Sequence, residues 1–164
     1  MKIALHIHTL NQIKNFSDPL VDFILTEPLY SYKHPYVSDK AAFLDLLNAC
    51  LNTKQKTYIE INGFIEEGDL VGLKVWIDDL ITYPISGFLF ADLSVLMFLK
   101  EAGYQGETVY APETILTNTL EAKTLLGVVD RIMISKELTY QESLALCTAL
   151  PDRLEVIGAG QLQI

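Results

Sequence analysis

The C-terminal half of the chain repeats a single unit, and that repeat limits what the chain can fold into. The first copy is ISGFLFADLSVLMFLKEAG, residues 85–103. An apolar run (87–91) ends on a carboxylate, Asp92. A strongly apolar helical run (93–99) follows at once, and Gly103 stops it. Further apolar runs begin near 108, 131 and 154, so the starts at 87, 108, 131 and 154 are spaced by 21, 23 and 23 residues. That spacing fits a helical crossover between strands and not a hairpin. The strands are therefore expected to be parallel, with right-handed connections.

The first half reads in the same alphabet. Residues 3–7 form a first expected strand, 9–19 a polar loop, and 21–26 a second strand ending at Glu27-Pro28. A tyrosine-rich loop (30–37) follows. Ser38 is expected to cap a helix whose Phe43, Leu46, Leu47, Cys50 and Leu51 share one face. Residues 57–62 (TYIEIN) alternate Tyr58, Glu60 and Asn62 against Ile59 and Ile61, as a strand does. A helix is expected over 69–80. After the opening unit come a strand at 108–111, a helix at 119–126 entered through Asn118 and Glu121, and a strand at 131–135. A helix at 140–149 entered through Thr139 and Glu142 and a strand at 154–157 complete the chain. Seven strands alternate with helices in one expected domain, 1–164. An eight-stranded barrel usually needs at least ~200 residues. The fold expected is therefore α/β, an incomplete TIM-like (β/α) barrel of about seven strands, with an open doubly wound sheet as the competing architecture.

Charge and cysteine content exclude several classes. Twelve Lys and Arg against 21 Asp and Glu give a formal charge of −9. Such a chain repels phosphate backbones, and no basic cluster offsets this, so no nucleic-acid partner is expected. No run approaches the ~20 apolar residues of a membrane span. The start, with Lys2 and a short apolar run broken by His6 and His8, does not read as a secretory signal. A cytoplasmic protein without membrane contact is expected. Cys50 and Cys147 lie far apart with no CxxC pair, so they read as buried reduced thiols and not as zinc or iron–sulfur ligands.

Several strands end on an acid: Glu27, Asp92, Glu113 and Glu137. In parallel α/β folds the C-terminal strand ends share one face, where active sites sit. These carboxylates suit acid–base work or a hard cation. They equally suit helix N-termini, where the macrodipole favours an anion. Glu113 stands five residues before its helix and is the least easily explained as a cap. His6 and His8 project from the same face of one strand, a geometry suited to a divalent metal or to a purely structural pair. GAG at 158–160 has no following helix, so it is not a dinucleotide loop. Ser135 and Ser143 have no GxSxG context. Trp76 reads as core or interface.

Two resemblances follow from motifs. MKIALHIHT resembles the first strand of the polymerase-and-histidinol-phosphatase metal-dependent phosphoesterases, which carries HxHT. That family has further histidines, whereas only His34 remains here. The wider resemblance runs from residue 85 to the end and is to the collagenase-like peptidase family. ADLSVLMFLKEAG resembles its D-L-G-V-L turn, with Ser94 at the usual Gly. APETILTN keeps Thr117 and Asn118 of a loop in which Glu113 and Thr114 replace Thr-Gln. RIMISKELTYQES keeps Arg131, Ser135, Glu137 and Leu138, with Lys136 for Arg. LEVIGAGQLQI keeps Glu155, Gly160 and Leu162, but has Ala159 for the family's His and Gln163 for its first Cys.

The resemblance implies the barrel fold without the iron–sulfur cluster that some members carry. It leaves two functional readings. In one, the chain is a shortened, cluster-free binding or assembly subunit, pairing with itself or with a longer family member and needing no cofactor. In the other it is a metal-assisted hydrolase, peptidase or phosphoesterase, with catalytic Asp92, Glu113 and Glu137. Thr117, Asn118 and Lys136 would then contact substrate, and His6 and His8 would hold a divalent ion.

Overall fold

The computed structural model describes residues 2–16, 18–31, 39–112, 114 and 116–158. They fall into two compact units, Met1–Gly106 and Glu107–Ile164. The first unit holds β1 (Ile3–His6), α1 (Leu10–Asn15), β2 (Val21–Thr26), α2 (Lys40–Leu51), β3 (Thr57–Ile61), α3 (Leu70–Leu80), β4 (Gly87–Phe90) and α4 (Leu93–Glu101). The second holds β5 (Glu107–Tyr110), α5 (Thr119–Leu125), β6 (Arg131–Met133), α6 (Tyr140–Ala149) and β7 (Leu154–Glu155). Pairing is parallel throughout, β1-β2-β3-β4 in the first unit and β5-β6-β7 in the second. Strand order follows chain order in each. A doubly wound sheet would reverse its order at a switch point, so the seven strands define an incomplete TIM-like α/β fold.

Alternation sorts the first unit's strands into two faces. Phe23, Leu25, Ile59, Ile61, Phe88 and Phe90 share one face and are at most 1% exposed. Phe43 and Leu47 of α2 and Leu73, Ile77 and Leu80 of α3 are equally buried and supply the helical side of this core. Burying a side chain of this size contributes about 1.5–3 kcal/mol. The opposite face carries His6, Asp22, Thr26, Tyr58 and Glu60 and is the polar one. In the second unit the buried apolar set is Val109, Ala111, Leu116, Ala122, Val129, Ile132, Ile134 and Leu146.

Several expectations are corrected. Residues 9–19 are not wholly loop, because α1 forms there. The Thr9 side chain accepts from the Gln12 N–H while the Gln12 side chain accepts from the Thr9 N–H, a reciprocal cap that starts a six-residue helix. The N-cap of α2 is Asp39, which accepts from the Ala42 N–H at 2.8 Å; the expected Ser38 lies outside the described residues. α4 buries Val95, Leu96 and Leu99 but leaves Leu93 and Met97 exposed, so its apolar sequence is buried on one side only. Gly103, at φ 70°, then turns the chain out of α4. β6 and β7 are shorter than expected. Ser135 leaves the ladder, its N–H donating to Leu116 O and its hydroxyl accepting from the Glu137 N–H. Cys50 is buried as expected, and burial pushes its thiol up to about 12, whereas Cys147 is only half-buried.

The segment after β2 is clamped against the segment after β3. The Gly63 N–H donates to Tyr30 O at 2.9 Å, and a Cβ on Gly63 would stand 2.2 Å from that same oxygen. Backbone cannot yield as a side-chain tip can. Gly63→Ala is therefore expected to cost about 3 kcal/mol, the upper end of the usual ~1–3 kcal/mol for overpacking, as read by urea unfolding. Gly68→Ala, where a Cβ meets nothing within 4 Å, is the matched control.

Candidate functional site

The polar face of the first unit gathers its chemistry at the C-terminal strand ends. Register places Thr26 beside Glu60 and His6 beside Ile24. Glu60 is 2% exposed, and its carboxylate accepts from the Thr26 hydroxyl at 2.7 Å. His6 Nε2 lies 3.9 Å from the same carboxylate oxygen. The His8 ring stands edge-on to His6, with centroids 6.3 Å apart. Burial, and then the neighbouring His6, hold the His8 imidazole below its ordinary value, while Glu60 acts in the opposite sense. The two imidazoles are thus neighbours, and His6 lies against a buried glutamate.

On the other face of the same strand end, Glu27 is fully buried and accepts four hydrogen bonds. The N–H groups of Leu29 and Tyr30 donate at 2.8 and 2.7 Å, the Ser31 hydroxyl at 2.9 Å and the Trp76 indole at 3.0 Å. Burial pushes its carboxyl up, and the four donors oppose that shift. Two of these donors belong to consecutive backbone groups that the turn would otherwise leave unmatched. Trp76, 3% exposed, packs on Phe43 with the Lys40 ammonium 4.2 Å from its ring centre. Glu27 and Trp76 are a structural pair that fixes the loop beside the polar face.

The remaining residues singled out from the sequence are placed as follows. Asp92 is the N-cap of α4 and accepts from the Ser94 N–H at 2.8 Å. Asn118 is the exposed N-cap of α5, accepting from the Glu121 N–H at 2.9 Å, and Thr117 beside it is exposed. Glu137 is exposed and Lys136 half-buried in the turn before α6. Glu113, His34, Ala159, Gly160, Leu162 and Gln163 lie outside the described residues. Among the described residues, no group of three or more His, Cys, Asp or Glu is arranged to hold a metal ion.

Two residues that carry the family resemblance meet in the second unit. Arg131 bonds Glu107 at 2.7 Å and Glu155 at 2.6 Å, bridging its three strands. Arg131, Glu155 and Ser135 therefore have architectural tasks. Glu60, Thr26 and Asn62 were not among the site residues expected from sequence. The local signal was the alternation of Tyr58, Glu60 and Asn62, which puts two polar side chains on an otherwise apolar strand.

Parallel strands alternating with helices, with polar groups gathered at the strand ends, define a barrel-type α/β protein. The sequence profile of Peptidase family U32 matches residues 37–164. The chain belongs to that family. No curated protein and no solved structure matches it. Among the described residues, no helix is long and apolar enough to cross a membrane.

The His8 shift gives a pH prediction. A folded value below the unfolded one means that the unfolded chain binds the proton first as pH falls through about 6.5. The contribution of neutral His8 to stability is complete above that value and is lost as pH falls through the folded one. Unfolding free energies at pH 7 and pH 5 should therefore drop less in His8→Gln than in the parent. His8 ring protons should also titrate below the ordinary histidine value.

Proposed function

We propose that this member of Peptidase family U32 acts as a cluster-free binding or assembly subunit, pairing with a second copy of itself or with a longer family member. The observation that carries this reading is the state of β1. Its sequence IALH is apolar over three residues, yet Ile3 is 50% exposed and Ala4 and His6 are also exposed. The Ile3 and Ile7 N–H groups donate to Leu20 and Ile24 of the β2 side. By alternation, the N–H and C=O of Ala4 and His6 point to the opposite edge, where no other described strand pairs. An exposed apolar edge of this kind is a template for another chain. The residues at the family's cluster region, Ala159 and Gln163, support the cluster-free part. The use of Asp92 as the α4 cap gives that carboxylate a structural task and supports the binding reading over the hydrolytic one.

The second reading, a metal-assisted hydrolase using His6 and His8 with Asp92, Glu113 and Glu137, draws on the neighbouring imidazoles of His6 and His8, with Glu60 against His6. Thr117, Asn118 and Lys136 would then face substrate.

Native mass spectrometry of the untagged protein separates the two. The subunit reading expects a homodimer or a complex with a second polypeptide. It also expects Ala4→Pro, which takes an outward N–H from the free edge of β1, to shift the protein to monomer and to lower its melting temperature to a value that no longer depends on protein concentration. A parent that stays monomeric at high concentration contradicts that reading, and a monomer carrying one stoichiometric divalent ion supports the hydrolase.

A further inference from the structure

The outer edge of β1 narrows what can pair with it. Ile3 and Ile7 turn their N–H groups to the β2 side, so Ala4 and His6 turn both backbone groups outward. Exposed edges are commonly guarded by charge, proline or a bulge. β1 has none of these. No Asp, Glu, Lys, Arg or Pro stands between Ile3 and His8, and its ladder with β2 runs unbroken from Ile3 to His6. Lys2, just before the strand, is paired with Asp22 at 3.3 Å. The matched family profile begins at residue 37, after β1 and β2, so family membership by itself supplies no partner for this edge. A second copy of the chain carries the identical edge.

Two identical edges related by a two-fold axis hydrogen-bond when their strands run antiparallel. Alternation then limits the register. Ile3, Leu5 and Ile7 share one face, Ala4 and His6 the other, and a slip of one residue would set apolar against polar side chains. Among the registers that keep the faces together, one uses every outward group of β1. With Leu5 on the axis, Ala4 lies opposite His6 of the second copy and His6 opposite its Ala4, and each such pair exchanges two hydrogen bonds. The same register lays Ile3, 50% exposed, beside Ile7 of the second copy. With Ala4 on the axis, His6 falls opposite Lys2, before the strand begins. With His6 on the axis, Ala4 falls opposite His8, whose N–H already donates to the Gln12 side chain at 2.7 Å.

Resting on the subunit reading, we propose that the partner is a second copy of this chain, joined through an antiparallel β1–β1 ribbon with Leu5 on the two-fold axis. The sheet then runs on across the pair, and each His6 lies opposite Ala4 of the other copy. A complex with a longer family member, or a dimer joined elsewhere, overturns this proposal and leaves the subunit reading standing. A protein that stays monomeric overturns both.

Disulfide trapping reads the register. The variants are Ala4→Cys, His6→Cys and Leu5→Cys, each combined with Cys147→Ser, while the buried Cys50 is kept. Directly opposed Cα atoms of a hydrogen-bonded antiparallel pair stand about 5.5 Å apart, within reach of a disulfide. In the proposed register Ala4 and its own copy, or His6 and its own copy, stand about 8 Å apart, beyond that reach. An exchanged mixture of Ala4→Cys and His6→Cys, oxidised with diamide, is therefore expected to give at least about tenfold more covalent dimer than either variant alone. Intact mass should show one copy of each variant in that dimer. Leu5→Cys, which meets itself across the axis at about 4.5 Å, should cross-link unaided. Ala4 and His6 are exposed, so their variants retain the fold, and the mixed dimer decides the matter even where the half-buried Leu5→Cys does not fold. Either exposed variant cross-linking alone as well as the mixture does would overturn the proposal. So would a parent that is dimeric in native mass spectrometry but yields no mixed dimer.

Discussion

The C-terminal strand ends of the first unit depend on one buried carboxylate, Glu27. Glu27 stands where β2 ends, on the face turned to the helices, and is closed off from solvent. A charge in that position costs several kcal/mol unless donors surround it. Four do. They come from the turn itself and from α3, so one side chain ties a strand end, a loop and a helix together. The Ser31 hydroxyl that donates to Glu27 also accepts from the Asn62 N–H at 3.2 Å, extending the tie to β3. Tyr30, held by the same carboxylate, then receives the Gly63 N–H.

What this network positions is the polar face behind it. Glu60 and Glu27 sit at neighbouring strand ends but on opposite faces, and their surroundings give them different work. Glu27 is saturated with donors and locks backbone. Glu60 takes a hydroxyl from Thr26 and lies beside two imidazoles, one of them half-buried and held toward neutrality. The polar strand ends thus lie beside segments that the first carboxylate keeps in place, the usual division between a rigid scaffold and its loops.

Much of the architecture was legible in the sequence because it rests on local rules. The 21–23 residue repeat specified parallel strands, β2 and α6 were found at their expected bounds, and Thr139 with Glu142 formed the reciprocal cap read from their spacing. Helix α1 was not legible from periodicity. It is six residues long and buries only Ile13, so it has no amphipathic stripe, and its Thr9–Gln12 cap was the sole signal. The site was less legible than the fold. His6 and His8 could be paired because they stand two residues apart at the end of β1. Glu60 joins them through cross-strand register, 34 residues from its Thr26 partner, and Glu27 meets Trp76 across 49. No spacing rule along the chain encodes such meetings. The rim acids illustrate the converse: Asp92 follows the local capping rule and spends its carboxylate on the α4 N-terminus.

The central claim is that Glu27 organises this end of the molecule. The direct measurement is amide hydrogen exchange at Leu29 and Tyr30 in the parent and in Glu27→Gln. The amide retains one acceptor oxygen but turns an NH2 group toward donors. The account predicts a stability loss of about 3 kcal/mol and exchange at both amides faster by about a hundredfold or more. Unchanged protection at Leu29 and Tyr30, with stability within about 0.5 kcal/mol of the parent, would contradict it.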